Sequence, residues 1–186
     1  MTGKVAGIFI ASNAGEPMQE IQKVGAIAQL GLEGDRYTGA RGTSSVLKYG
    51  GINHVSLIEQ EAILRIKEQF GVKFPPMFTR RNILTEGVSL NDLAGKDFWI
   101  WNVKMRGVSL CHPCNRPTKL WEKQDLEEKP SFEKFFAGFG GLRAELLTSG
   151  TIYKGANINM DTYKCLLCGT TTSYPHVCPE FYPELR

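Results

Sequence analysis

The chain has 186 residues, a formal net charge of +3, 42% hydrophobic and 22% charged residues. That is the composition of a soluble globular protein of one domain, or one domain with a small appendage. No stretch approaches the ~20 consecutive apolar residues of a membrane-spanning helix, and so mild a positive charge suits small anions better than a nucleic-acid backbone.

The expected elements are mostly short strands punctuated by glycine-rich turns. In chain order they are Lys4 to Ser12, Val24 to Leu30, Val55 to Ile58, Asn82 to Leu84, Phe98 to Trp101, Lys104 to Leu110 and Leu142 to Thr148. The first could pass for a weak signal peptide, but its β-branched and aromatic residues suit a strand better. Many short strands with frequent turns read as a barrel or sandwich. One helix stands out: Ser56 and Glu59 have capping-box spacing, Ile63, Ile66 and Phe70 recur at helical spacing, and Gly71 stops the run. A weaker helix is expected at Ser131 to Phe136, after a charged, solvent-facing insertion from Trp121 to Lys129. After Asn159 the composition shifts, so 1–159 reads as the main domain and 160–186 as a Cys/His-rich tail.

The five cysteines are Cys111, Cys114, Cys165, Cys168 and Cys178. An odd count with two C-x-x-C pairs argues against a secreted disulfide framework. Reduced thiols doing metal or sulfur chemistry in the cytoplasm fit better.

Four segments carry chemistry. In Gly31-Leu-Glu-Gly-Asp-Arg-Tyr-Thr-Gly39 the glycines permit a tight turn, and Asp35 and Arg36 can pair or order the loop. Thr79-Arg-Arg-Asn-Ile-Leu-Thr-Glu-Gly87 places Arg80, Arg81 and Asn82 at the mouth of a strand. They offer phosphate- and heterocycle-binding donors, or more plainly an ion pair with Glu86 and a solvated edge. Val108-Ser-Leu-Cys-His-Pro-Cys-Asn-Arg-Pro117 runs a strand into a C-x-x-C turn containing His112. It reads as half a zinc site, a redox pair, or one metal ligand beside a bystander cysteine; Pro117 disfavours the helix a thioredoxin motif needs. Last, Cys165, Cys168, His176 and Cys178 can form a tetrahedral site, zinc foremost, in a tail with too little apolar material to fold by burial; unligated thiols are the alternative. The tail has no basic stripe of the kind nucleic acids require.

In this order, G-L-E-G-D-R-Y, H-V-S-L-I-E-Q-E-A-I, R-R-N-I-L-T-E-G-V-S-L-N-D-L-A-G-K, V-S-L-C-H-P-C and G-G-L-R-A-E-L-L-T-S-G-T-I are similar to the blocks of the MOSC domain, named for the C-terminal part of molybdenum cofactor sulfurases. The resemblance spans roughly residues 1 to 160 and implies a mainly β fold: a closed or partly open barrel with a few short helices and a molybdenum–pterin site at one end. The metal- or sulfur-carrying cysteine of the family matches Cys114. Arg80 and Asn82 match cofactor-holding residues, and Arg36 and His112 fall in the same blocks. His112 and Pro113 differ from the Ser-Arg that precedes the ligand in the amidoxime-reducing relatives. The tail lies outside the family pattern.

Two functions follow from the resemblance. One is a molybdenum-dependent oxidoreductase that reduces small N-hydroxylated compounds, such as hydroxylaminopurines or amidoximes. With no Rossmann fingerprint, its electrons come from a separate donor protein. The other is a sulfur carrier that takes a persulfide on Cys114 from a pyridoxal-phosphate-dependent cysteine desulfurase and delivers it to a metal–sulfur centre.

Overall fold

The computed structural model describes residues 2–38, 54–113 and 132–160, together with the backbone of 163–164 and 171–172. Seven strands close into a barrel. Strand β1 (Thr2–Ile10) pairs with β11 (Asn157–Met160), which continues through β7 (Asp97–Ile100), β8 (Val103–Leu110), β9 (Leu142–Leu146), β5 (Val55–Glu59) and β6 (Ile83–Glu86) back to β1. Strand β2 (Gln19–Ile21) extends β1 on one side, and β10 (Gly150–Tyr153), β3 (Lys23–Ile27) and β4 (Gly31–Leu32) form a small separate sheet. A two-strand pairing joins β12 (Tyr163–Lys164) to β13 (Thr171–Thr172).

Period-two alternation places the core. Along β5, Val55 and Leu57 point into the barrel, while Ser56 and Ile58 point outward. Across the sheet Leu57 lies beside Ile83 and Leu142, and all three are fully buried. A second apolar layer lies outside the barrel wall. It joins Phe9, Ile58 and Leu84 to helix α1 (Gln60–Phe70) and the one-turn helix α2 (Phe132–Phe135). Its centre is aromatic, with the Phe132 and Phe136 rings 4.3 Å apart and Phe74 edge-on to Phe136 at 5.2 Å.

Strands β5 and β6 run parallel, so a crossover is required, and α1 supplies it. Ala62, Ile63 and Ile66 face the barrel wall, and Gly71 ends the helix at φ 71 with its N–H on the Lys67 carbonyl, as the sequence indicates. The capping box does not form. Ser56 and Glu59 both belong to β5, Glu59 caps with no side-chain bond, and the Ser56 hydroxyl turns to Asn82 instead. The weaker helix is real, at Phe132–Phe135. Strand boundaries move by a few residues: Ala28 to Leu30 form a turn after β3, and Trp101 sits at a hairpin tip with φ 55. The sequence pattern does not reveal β2, β4, β10 or β11. Among the described residues no helix is long and apolar enough to cross a membrane.

Candidate functional site

Three of the four chemistry-bearing segments meet on the outer face of the barrel wall. The loop after β4 is shaped by Gly31 and Gly34, with φ 137 and 75. It folds Asp35 inward, where its carboxylate accepts four bonds: Ala11 N–H (3.1 Å), Tyr37 N–H (3.1 Å), Arg36 Nη1 (3.1 Å) and Asn82 Nδ2 (3.2 Å). Asp35 and Arg36 are 2% and 4% exposed, so the pairing anticipated from sequence is an interior one. A buried ion pair is tolerated only when its remaining polar capacity is satisfied. Arg36 Nη1 also reaches Met18 Sδ at 3.2 Å, Nη2 donates to the Arg80 carbonyl at 3.3 Å, and its guanidinium lies 4.5 Å from the Tyr37 ring centre.

Asn82, immediately before β6, is 1% exposed. Its Nδ2 donates to the Phe9 carbonyl (3.2 Å) as well as to Asp35, and its Oδ1 accepts from Ser56 N–H (3.2 Å) and Ser56 Oγ (2.9 Å). A side-chain amide has two donors and two acceptor lone pairs, and all four are engaged within the wall. Asn82 therefore ties β1, β5 and the Asp35 loop together.

Arg80 and Arg81 flank this tie on the surface side. Arg80 closes the short 3-10 turn Pro76–Thr79 in the left-handed region, at φ 61, which costs about 1 kcal/mol or more for a residue with a Cβ. Its Nη1 donates to the Glu16 carbonyl. Arg81 Nε donates to the Gly140 carbonyl at 2.9 Å, and its guanidinium lies 6.0 Å from the Phe132 ring centre. Glu86, the alternative ion-pair partner considered from sequence, bonds Lys4 at 3.3 Å.

Strand β8 delivers the C-x-x-C segment. Cys111, just past the strand, is 3% exposed and free, and its N–H donates to the Gly141 carbonyl at 2.7 Å. His112 is exposed and Pro113 half-buried. The fit against the Gly140-Gly141 pair is close: a Cβ on Gly140 would stand 2.0 Å from the Cys111 carbonyl oxygen, and one on Gly141 2.0 Å from that of Leu57. Through Gly140, the Arg81 segment and the cysteine segment are in contact. Sequence reasoning offered Arg81 together with Arg80 and Asn82 as donors at the strand mouth, read Ser56 only as a helix cap, and gave the doubled glycine no place beside the cysteine segment. Cys114, and the tail set Cys165, Cys168, His176 and Cys178, lie outside the described residues. Among the described residues no group of three or more potential metal ligands comes together.

The MOSC domain profile matches residues 45–159, well over half of the chain. The chain belongs to the MOSC family. The barrel agrees with MOSC-type solved structures. The YuaD protein from Bacillus subtilis superposes with a TM-score of 0.72 at 18% identity, covering 85% of this chain and 94% of that one. YiiM from Geobacillus stearothermophilus gives 0.59 at 16% identity over 84% and 74%, and YiiM from Escherichia coli 0.57 at 15% over 84% and 68%. No curated protein sequence is significantly similar. Strands β1 to β4 precede the profile match, yet β1 supplies a wall of the closed ring.

Proposed function

We propose that this MOSC protein holds a molybdenum–pterin cofactor through the Cys114 thiolate and reduces N-hydroxylated small molecules with electrons from a separate donor protein. One observation supports this above others. Three family blocks, far apart in sequence, come together: Asp35 and Arg36 bond Asn82 and the Arg80 carbonyl, and Arg81 bonds the Gly140 carbonyl, which packs against Cys111.

The donor chemistry suits an anionic pterin. Arg80 and Arg81 bring two half-buried guanidinium groups to the surface side of this tie, with the buried Arg36 beneath them bonded to the Arg80 carbonyl, and guanidinium forks match phosphate geometry. When bound, the molybdenum–pterin supplies the two-electron oxygen-atom chemistry. The chain supplies the rest. Cys114 provides the thiolate, three residues beyond Cys111, which is buried and serves as an anchor rather than a second ligand. Arg80 neutralises and orients the phosphate, the buried Arg36 supports the Arg80 backbone from below, and His112, exposed beside Cys111, borders the substrate approach. Asn82 contributes through the Asp35 loop, holding Arg36 in place.

The test is elemental analysis of protein made in a host competent for molybdenum cofactor synthesis. About one molybdenum and one pterin per chain are expected, lost in Cys114→Ser and only reduced in Cys111→Ser. Loading should accompany reduction of an amidoxime by a chemical electron donor. Cyanide-labile sulfur on Cys114 with no molybdenum would overturn this reading and leave the sulfur-carrier role.

A further inference from the structure

One arginine on the barrel wall has no counter-charge among the described residues. Arg143 sits half-buried in the middle of β9, between the inward Leu142 and Ala144. No hydrogen bond, ion pair or aromatic ring among the described residues engages its guanidinium. The other described arginines are all engaged: Arg36 by Asp35, Arg65 over the Phe139 ring, Arg80 by the Glu16 carbonyl, Arg81 by the Gly140 carbonyl and Arg106 by Asp97. Glu145, the next outward residue of β9, accepts from Gln29 at 3.0 Å. Partial burial strips water from a cation, and an unpaired one gains from an anion brought beside it.

Strand register sets hydroxyls on both sides of Arg143. It lies opposite Ser56 of β5 on one side and opposite Ser109 of β8 on the other. Such cross-strand neighbours share a face, with Cβ atoms about 5 Å apart. Ser56 in turn stands beside Asn82, because β5 and β6 pair Leu57 with Ile83. A polar rung therefore crosses four strands, Ser109–Arg143–Ser56–Asn82, and ends where Asn82 bonds Asp35. The Ser56 hydroxyl is engaged by Asn82 at 2.9 Å. The half-buried Ser109 hydroxyl, like Arg143, has no partner among the described residues. A bulge puts it there. Strand β8 pairs Gly107 with Ala144 and then Ser109 with Arg143, skipping Val108. Uninterrupted pairing would set Val108 beside Arg143; the bulge replaces an apolar neighbour with a hydroxyl.

We propose that Arg143 and Ser109 form an oxyanion subsite on the outer wall. The guanidinium fork gives two parallel donors and the hydroxyl a third. The subsite takes the phosphate or carboxylate of the molecule bound beside the Asp35–Asn82 tie, an assignment that rests on the function proposed above.

The experiment titrates inorganic phosphate into full-length protein made in a host without molybdenum cofactor. NMR follows the Arg143 Nε–H and the Ser109 amide. Saturable shifts are expected at both, with the Ile8 and Leu57 amides unmoved. Arg143→Ala should weaken phosphate binding by about tenfold or more, and Ser109→Ala by about threefold. Arg143→Lys should recover part of the loss, since it keeps the charge without the fork. Should Arg143→Ala fail to fold, Arg143→Lys and Ser109→Ala decide alone. Arg106→Ala is the control: its guanidinium is held by Asp97, so its removal should leave phosphate binding at the parent value. Binding in Arg143→Ala within about twofold of the parent would overturn the proposal. So would equal shifts from sodium chloride at the same ionic strength, the mark of screening alone, or loss of binding in Arg80→Ala only. Molybdenum content of Arg143→Ala made in a competent host then identifies the source of the oxyanion. Reduced loading assigns it to the phosphate of the cofactor, and parental loading to an anionic substrate. A parent protein that takes up no molybdenum would sink the proposed activity, while the phosphate titration would still decide the subsite.

Discussion

Replacing Asn82 separates an interior tie from a direct ligand contact. Asn82→Ala removes four bonds and orphans the Ser56 N–H and the Phe9 carbonyl in a wall where Asn82 is 1% exposed. Unsatisfied buried groups cost about 1–3 kcal/mol each, so a loss of about 3–5 kcal/mol is expected. For a chain of this length that lowers Tm by about 10 °C. Asn82→Asp is the sharper probe because shape is kept. It puts a carboxylate oxygen where Nδ2 now stands 3.2 Å from Asp35 Oδ1. At an effective dielectric of about 20 the repulsion is about 5 kcal/mol before Arg36 offsets part of it. Repulsion raises the folded-state pKa of the introduced carboxyl. Its penalty is therefore full above that pKa and fades as pH falls through it. Urea unfolding of cofactor-free protein between pH 5 and 8 measures this. If both variants stay within about 0.5 kcal/mol of the parent at every pH, Asn82 does not hold the wall together and the structural reasoning fails.

Other outcomes are equally specific. Burial, partly opposed by the Leu90 N–H bond at 2.6 Å, raises the Glu59 pKa, so its carboxylate is disfavoured in the fold at neutral pH. Glu59→Gln, which keeps an acceptor for Leu90, should raise Tm slightly at pH 7, and the gain should vanish below the ordinary Glu range, as differential scanning calorimetry would record. Asp97 has the opposite sign: the Arg106 hydrogen bond, aided by Lys104, lowers its pKa. Asp97→Asn should cost up to about 1 kcal/mol at pH 7, a difference that disappears as pH falls below the ordinary Asp value; equal losses at pH 7 and pH 2.5 would contradict it. Phe136→Ala, at a fully buried position of the outer layer, should cost about 3–5 kcal/mol in chemical denaturation. Finally, zinc quantitation of protein truncated at Asn159 tests the tail. A full equivalent retained would exclude Cys165, Cys168, His176 and Cys178 as its ligands.

The alternation of apolar residues made the inward faces of β7, β8 and β9 readable, because these strands bury large side chains on one side only, whereas β1 and β5 also bury Phe9 and Ile58 on the outer side. Strands β10 and β11 were not readable. Gly150-Thr-Ile-Tyr153 and Asn157-Ile-Asn-Met160 each bury a single fully enclosed isoleucine, too weak a periodic signal without knowledge of their partners. The capping-box spacing at Ser56 and Glu59 misled for a related reason. Both side chains had tertiary partners, Asn82 and the Leu90 N–H, that local spacing does not reveal. At the site, residue types drew attention to Asp35, Arg36, Arg80, Asn82 and Cys111. Which polar atoms were already engaged, and the contact between Gly140 and Cys111, depended on strand register.

The ring closes on its most distant pair. Thr2 lies opposite Asn159 and Lys4 opposite Asn157, so β1 is completed by a strand about 150 residues further along the chain. During synthesis, at about 5–20 residues per second, β1 would wait at least several seconds with one hydrogen-bonding edge open before β11 leaves the ribosome. Lys4 lies on that waiting edge, and a charged side chain there opposes pairing with other chains. The same adjacency brings residues 2 and 159 side by side, so in protein truncated at Asn159 a short linker there, with new ends cut at an exposed turn such as Asn13 to Gly15, should yield a circular permutant with the barrel intact.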